Sequence, residues 1–170
     1  MPPTDQVSVR KAVPADHDDV SRLSRSVDEL HRESLPWMFR VPDVEPRPRA
    51  YLESLLGRDD AVVYVADAIG ADGLVGVAFG LMRAMPAFPV FVQQRYGVLD
   101  GLVVDDAWRR RGIGKQLVQA VESWALDLGA QWLEMNVYEF NVEARRFYDA
   151  LGYGALSTKL SKRPVPNGNE

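Results

Sequence analysis

The chain of 170 residues contains no cysteine and only two histidines, His17 and His31. Without thiols there is no disulfide framework, no cysteine metal cluster and no thiolate nucleophile, so group transfer through a cysteine acyl-enzyme is closed. The histidines lack neighbouring ligands and make a poor metal site; both are expected to face solvent or a helix surface, and no metal is expected. No apolar run is long enough to span a bilayer and no charged-then-apolar leader follows Met1, which predicts a soluble, cytoplasmic protein without a membrane partner. The 20 Lys and Arg against 24 Asp and Glu give a formal charge of −4. That excludes a general nucleic-acid footprint and mildly favours a cationic partner. No internal repeat or low-complexity tract is present.

What is there suffices for one core. Apolar residues make up 46% of the chain, and the length predicts a single domain over residues 1–170, with 164–170 as a flexible tail. Residues 7–10 alternate as a first strand, and Pro14 opens a helix whose Val20, Leu23, Val27 and Leu30 recur three and four apart. Residues 35–48 hold Pro36, Pro42, Pro46 and Pro48 with Trp37 and Phe39, and read as a loop with aromatic anchors. A short helix over 50–56 precedes two strands, 61–66 and 74–81, joined across Gly70 and Gly73 as an antiparallel pair. Residues 85–90, with Pro86 and Pro89, form a second aromatic loop, and residues 155–162 are expected to form a last strand. Loops of this kind carry specificity, although Trp37, Phe39 and Phe88 serve equally well as core plugs.

The chemistry is concentrated between Gly101 and Gly152. Residues 96–104 are apolar and rich in β-branched side chains, closed by Asp105 and Asp106, and read as a buried strand. Beyond it, Ile113, Leu117, Val121, Trp124 and Leu128 keep helical spacing, so a helix starts at or just after Gly112 and stops at Gly129. Gly112 and Gly114 then sit in a strand-to-helix turn, where the chain tolerates unusual backbone angles and close approach of a ligand. Free N–H groups and the helix dipole favour an anion there, and Arg109, Arg110, Arg111 and Lys115 strengthen the local positive field. A dinucleotide fingerprint fails because position 117 is leucine. A Walker A loop fails at Arg109 and Gln116.

Downstream, residues 131–137 alternate as a strand, and Asn141 is a plausible N-cap for a helix that carries Ala144, Phe147, Tyr148 and Leu151 on one face and ends at Gly152. Strand, phosphate turn, helix, strand and short helix describe a parallel crossover, with both the glycine turn and Asn141 at carboxyl ends of strands, where ligands bind in such sheets.

Arg109, Gly112 and Gly114 after a strand, followed by Val137, Asn141, Ala144 and Tyr148, resemble the GNAT superfamily of N-acetyltransferases. The motif-bearing part covers residues 96–153. The resemblance implies an α/β fold with a mixed central sheet of about 6–7 strands flanked by helices on both faces. It implies acetyl-CoA as acyl donor and a primary amine of a small molecule, peptide or protein as acceptor. Leu102, Val103 and Val104 would lie along the pantetheine arm, with main-chain groups of Leu102 and Val104 pairing to its amides. The N–H groups around Arg109, Arg110, Arg111, Gly112, Ile113, Gly114 and Lys115 would hold the pyrophosphate. Asn141 would contact the pantetheine, and Tyr148 would protonate the departing thiolate, although an aromatic at helical spacing also serves as core. No thiol nucleophile means direct transfer, with an N–H near Val104 for the oxyanion.

Asp100 falls in phase with Val98, Leu102 and Val104 by strict alternation, unless a bulge re-aims it. A carboxylate in an apolar strand is paired or functional, so Asp100, acting through water, is the leading general base, or else it caps a backbone group or pairs with an arginine. Glu134 is the reserve. A homodimer is the default assembly, though no sequence feature selects an interface. A second reading is a non-catalytic acyl-CoA-binding sensor that keeps the cradle without productive acceptor geometry.

Overall fold

A computed structural model describes residues 7–163. They belong to two compact units that divide between Asn136 and Val137. The expected flexible tail, 164–170, lies outside the described residues.

The first unit is built on a five-stranded sheet in the order β1 (Val7–Lys11), β2 (Ala61–Ala68), β3 (Gly76–Ala84), β4 (Arg95–Val104) and β5 (Ala130–Glu134). Neighbouring strands from β1 to β4 are antiparallel, whereas β4 and β5 run parallel. A parallel pair needs a crossover, here the helix α3 (Ile113–Asp127). β2 and β3 are buried on both faces over most of their length, which explains their near-continuous apolar sequence.

One face packs against α1 (His17–Ser34) and α2 (Arg49–Leu56). Val20 and Leu23 of α1 and Leu52 and Leu55 of α2 join Val63, Val65, Val77, Phe79, Leu81 and Val103 in one cluster. The other face receives α3, and it does so closely because Gly76, Gly80 and Gly97 stand beneath it. A Cβ at Gly80 would lie 2.8 Å from both Val121 and Val62 side chains, and one at Gly97 would lie 2.8 Å from the Ala125 Cβ.

In the second unit Asn141 caps α4 (Val142–Ala150), its side chain accepting from Ala144 N at 3.1 Å. Gly152, at φ +91°, lets the chain leave the helix. Stacked Tyr138 and Phe140 rings, 5.5 Å apart, precede the cap.

Several expectations need correction. The sheet has five strands among the described residues, not 6–7, and residues 155–162 carry no regular structure. The segment pairs with no strand among the described residues, and Leu156 and Leu160 are exposed. β5 ends at Glu134 rather than at residue 137. His17, expected at solvent or on a helix surface, opens α1 with its ring mostly enclosed rather than in solvent: Nε2 donates to Arg47 O at 2.8 Å and Nδ1 pairs with Asp18 at 2.9 Å. Trp37 and Phe88 are exposed and plug no core, while Phe39 stacks on His31 at 5.1 Å. No helix among the described residues is long and apolar enough to cross a membrane.

Candidate active site

β4 is the axis of the site. Its pairing with β5 runs from Arg95 to Val98, opposite Ala130 to Glu134, and stops there. Among the described residues, β4 from Leu99 to Val104 continues with β3 on one side only. Asp105 N donates to Val75 O at 2.9 Å, and in an antiparallel ladder alternate residues address the partner strand. Val103 therefore turns its main chain to β3, with its side chain buried in the core. Leu102 and Val104 turn theirs to the opposite edge. The Val104 carbonyl already accepts from Arg109 Nε at 3.3 Å.

The ladder between β3 and β4 slips between Phe79 and Gly80: Gly80 faces Leu99 and Phe79 faces Gly101. Asp100 is the extra residue, a β-bulge. Strict alternation therefore fails at this point. Val98 before the bulge and Val103 after it both belong to the α1/α2 side, so Asp100 is out of phase with Leu102 and Val104. The buried carboxylate expected there is instead exposed, because the bulge turns it out of the ladder. Glu134 lies where β5 leaves β4, opposite Val98. Its Oε2 accepts from Trp132 Nε1 at 3.0 Å, and the Trp132 ring stacks on Tyr96 at 4.9 Å.

At the carboxyl end of β4 the chain makes a 3-10 turn, Asp106–Trp108, capped by Asp105 Oδ1, which accepts from Ala107 N at 3.0 Å. This turn holds two of the three arginines. Arg109 Nη2 pairs with Asp106 at 2.7 Å, while Arg111 donates to Ala107 O at 3.3 Å and lies 4.6 Å above the Trp108 ring. Arg110, between them, is exposed and adopts φ +64°, the left-handed region that disfavours side chains. Gly112 follows at φ +80° as N-cap of α3, and a Cβ built there meets nothing within 4 Å.

Gln116 is the first residue of α3 whose N–H closes onto the turn, donating to Gly112 O at 3.1 Å. The N–H groups of Ile113, Gly114 and Lys115 precede that bond and have no intrahelical acceptor. Open space above Gly112, donors behind it and basic side chains around it suit a phosphate group.

In the second unit Tyr148 is half-buried, in edge contact with Phe147 at 5.1 Å and Tyr153 at 5.8 Å. Desolvation pushes its phenol up to about 12, so it holds its proton throughout the neutral range. Asp100, Glu134 and the cradle thus share the first unit, and Asn141 and Tyr148 the second. The residues missed from sequence were Asp105 and Trp108, which organise the arginines. The signal was local: a tryptophan three residues before Arg111, within a turn.

Residues 25–153 match the family model described as acetyltransferase (GNAT) family. The chain belongs to the GNAT family. An uncharacterized N-acetyltransferase of Archaeoglobus fulgidus is 31% identical over 136 residues, 79% of this chain and 86% of that protein. L-ornithine N5-acetyltransferase NATA1 of Arabidopsis thaliana is 32% identical over 76 residues, 45% of this chain, and the match spans only 33% of that enzyme. Among solved structures, a point mutant of the BH1408 protein from Bacillus halodurans superposes with a TM-score of 0.86 at 22% identity, covering 93% of this chain and 99% of that one. The aminoglycoside N-acetyltransferase AAC(6')-Iy, in complex with CoA, does so at 0.71 with 19% identity, over 96% and 98%. As in the GNAT family generally, acetyl-CoA is the acyl donor to consider, and among the described residues no group of three or more His, Asp or Glu is placed to hold a metal.

Proposed function

We propose that this GNAT protein transfers the acetyl group of acetyl-CoA directly to a primary amine. The observation that carries the reading is the edge of β4 beyond Val98, which pairs with no strand among the described residues. Six residues from Leu99 to Val104, about 20 Å of extended chain, offer main-chain groups of Leu102 and Val104 on that edge and lead straight into the N–H groups at the start of α3. An arm with spaced amides and a diphosphate at its end is complementary to such a strip.

On this reading the pantetheine amides pair with Leu102 and Val104, and the diphosphate takes the N–H groups of residues 110–115, with Arg110 and Lys115 supplying charge. The Asn141 carbonyl is committed to its cap, so its contact with the pantetheine is made by the amide Nδ2, which has two donors. The amine nitrogen attacks the thioester carbonyl, its oxygen stabilised by a main-chain N–H near Val104, and the C–S bond breaks. The proton lost by the amine passes through water to Asp100, with Glu134 the second carboxylate on the same strand pair. The Tyr148 phenol gives its proton to the leaving sulfur.

Thiol release with acetyl-CoA and a panel of primary amines tests the proposal. Wild-type enzyme turns over, and Tyr148→Phe lowers kcat by about 100-fold while leaving acetyl-CoA binding intact by calorimetry. The acid form of Tyr148 is available below about 12, so the alkaline fall in rate lies above the ordinary tyrosine range near 10. Full turnover by the phenylalanine variant removes Tyr148 from the chemistry. Tight binding of acetyl-CoA with no turnover across the panel leaves a sensor instead.

A further inference from the structure

We infer that Arg22, on α1, is a positioning residue for the pyrophosphate cradle, acting through Asp105 and the 3-10 turn; the inference rests on the acetyl-CoA reading above. Its guanidinium is used on three sides. Nε and Nη2 donate to Asp19 Oδ1 at 3.0 and 2.8 Å, Nη2 also donates to Leu74 O at 2.7 Å, and Nη1 donates to Asp105 Oδ2 at 3.1 Å. The other oxygen of Asp19 accepts from Leu74 N at 3.1 Å. The turn between β2 and β3 comes this close because position 73 is glycine: φ is +89°, and a Cβ would fall 2.6 Å from Asp19 Oδ1.

The two oxygens of Asp105 therefore do different jobs. One is held by Arg22 from outside, and the other caps the 3-10 turn at Ala107 N. Each residue of that turn in turn holds a cradle arginine: Asp106 pairs with Arg109, the Ala107 carbonyl receives Arg111, and the Trp108 ring lies under Arg111. No other element ties Asp105 to the body of the sheet through a side chain among the hydrogen bonds of the described residues. Arg22 touches no atom of the cradle itself, so its effect is on geometry. The main chain of Asp105 stays on Val75 O, so loss of this clamp frees the carboxylate that caps the turn, and the N–H groups behind the turn are held less firmly for a diphosphate.

The test compares two donors, acetyl-CoA and acetyl-pantetheine, which share the thioester and the arm but differ in the diphosphate. Arg22→Ala is expected to raise KM for acetyl-CoA about tenfold, with kcat within about twofold and KM for acetyl-pantetheine unchanged. Asp105→Asn keeps an acceptor for Ala107 and weakens the bond to Arg22; it is expected to reproduce the shift, and the double variant to be no worse than Arg22→Ala alone. Equal rises for both donors, or no rise for either in a folded variant, overturn the inference. If Arg22→Ala does not fold, Asp105→Asn carries the same comparison alone. Wild-type enzyme that fails to saturate with acetyl-CoA at all sinks the proposed function instead, which separates the two failures.

Discussion

At the scale of single residues, Gly112 separates two reasons for a glycine. Its φ of +80° strains any side chain, and the space where a Cβ would point is open. Gly129, after α3, has φ +84° and equally open surroundings but lies at the other end of the helix, so it is a matched control. Gly112→Ala and Gly129→Ala are each expected to lose about 1 kcal/mol of stability, the cost of the left-handed backbone. Only Gly112→Ala should also weaken acetyl-CoA, because its methyl group occupies the approach to the N–H groups. Thermal melts in parallel with calorimetric titrations check this, and equal affinities in the two variants would show that the space above Gly112 is not used. The left-handed backbone of this glycine was legible from its place between a strand and a helix. The conformation of Arg110 was not, since an arginine carries no sequence mark of a positive φ.

At the scale of elements, what could be read depended on how far the deciding partner lay along the chain. β4, α3 and the cap at Asn141 follow from local pattern and stand within a residue or two of expectation. The bulge at Asp100 arises from a mismatch with Phe79 and Gly80 on another strand, which the periodicity of one strand does not encode. His17 was assigned to the surface for the same reason: its acceptor is the carbonyl of Arg47, thirty positions away. That contact ties the first turn of α1 to the returning loop 35–48, and Arg47 is itself held by both oxygens of Asp28 at 2.6 and 2.8 Å. The carbonyl of Arg47, followed by the Asp18 carboxylate, raises the His17 pKa above its ordinary value. A raised pKa means the folded chain binds the proton more tightly than the unfolded one, so the stabilisation is complete below the unfolded value near 6.5 and disappears as pH rises through the folded value. His17→Gln should therefore lower the melting temperature by about 3 °C at pH 5.5 and by less at pH 8.5. A difference that is constant with pH would mean the tether does not depend on the imidazolium.

At the scale of the whole molecule, the cradle is a consequence of where α3 sits. The helix presents Ile113, Leu117, Val118 and Val121, all buried to 1% exposure or less, to a sheet face in which Gly76, Gly80 and Gly97 leave room for it. Sequence patterning predicted the helix and the strands but not this depth of contact, because a glycine within a strand reads equally as a bulge or a weak point. Gly80 is the most informative position, since it lies mid-strand with side chains on all sides: Val121 and Val62 at 2.8 Å and Trp124 at 3.2 Å from a Cβ. Gly80→Ala has no backbone conflict, as its φ is not positive, so any cost comes from overpacking. That cost is expected to be about 1–3 kcal/mol, read as a fall of roughly 5 °C in melting temperature. Val62 lies on the neighbouring strand, but relief at Val121 and Trp124 requires α3 to move away from the sheet, and the N–H groups at its start move with it. The upward shift in melting temperature that saturating acetyl-CoA confers on wild type should therefore shrink in Gly80→Ala, because ligand stabilisation tracks affinity. Gly129→Ala, destabilised without moving the helix, should keep the full ligand shift. If Gly80→Ala melts lower yet gains as much from acetyl-CoA as wild type, the sheet absorbs the added methyl locally, and the seat of α3 does not set the geometry of the cradle.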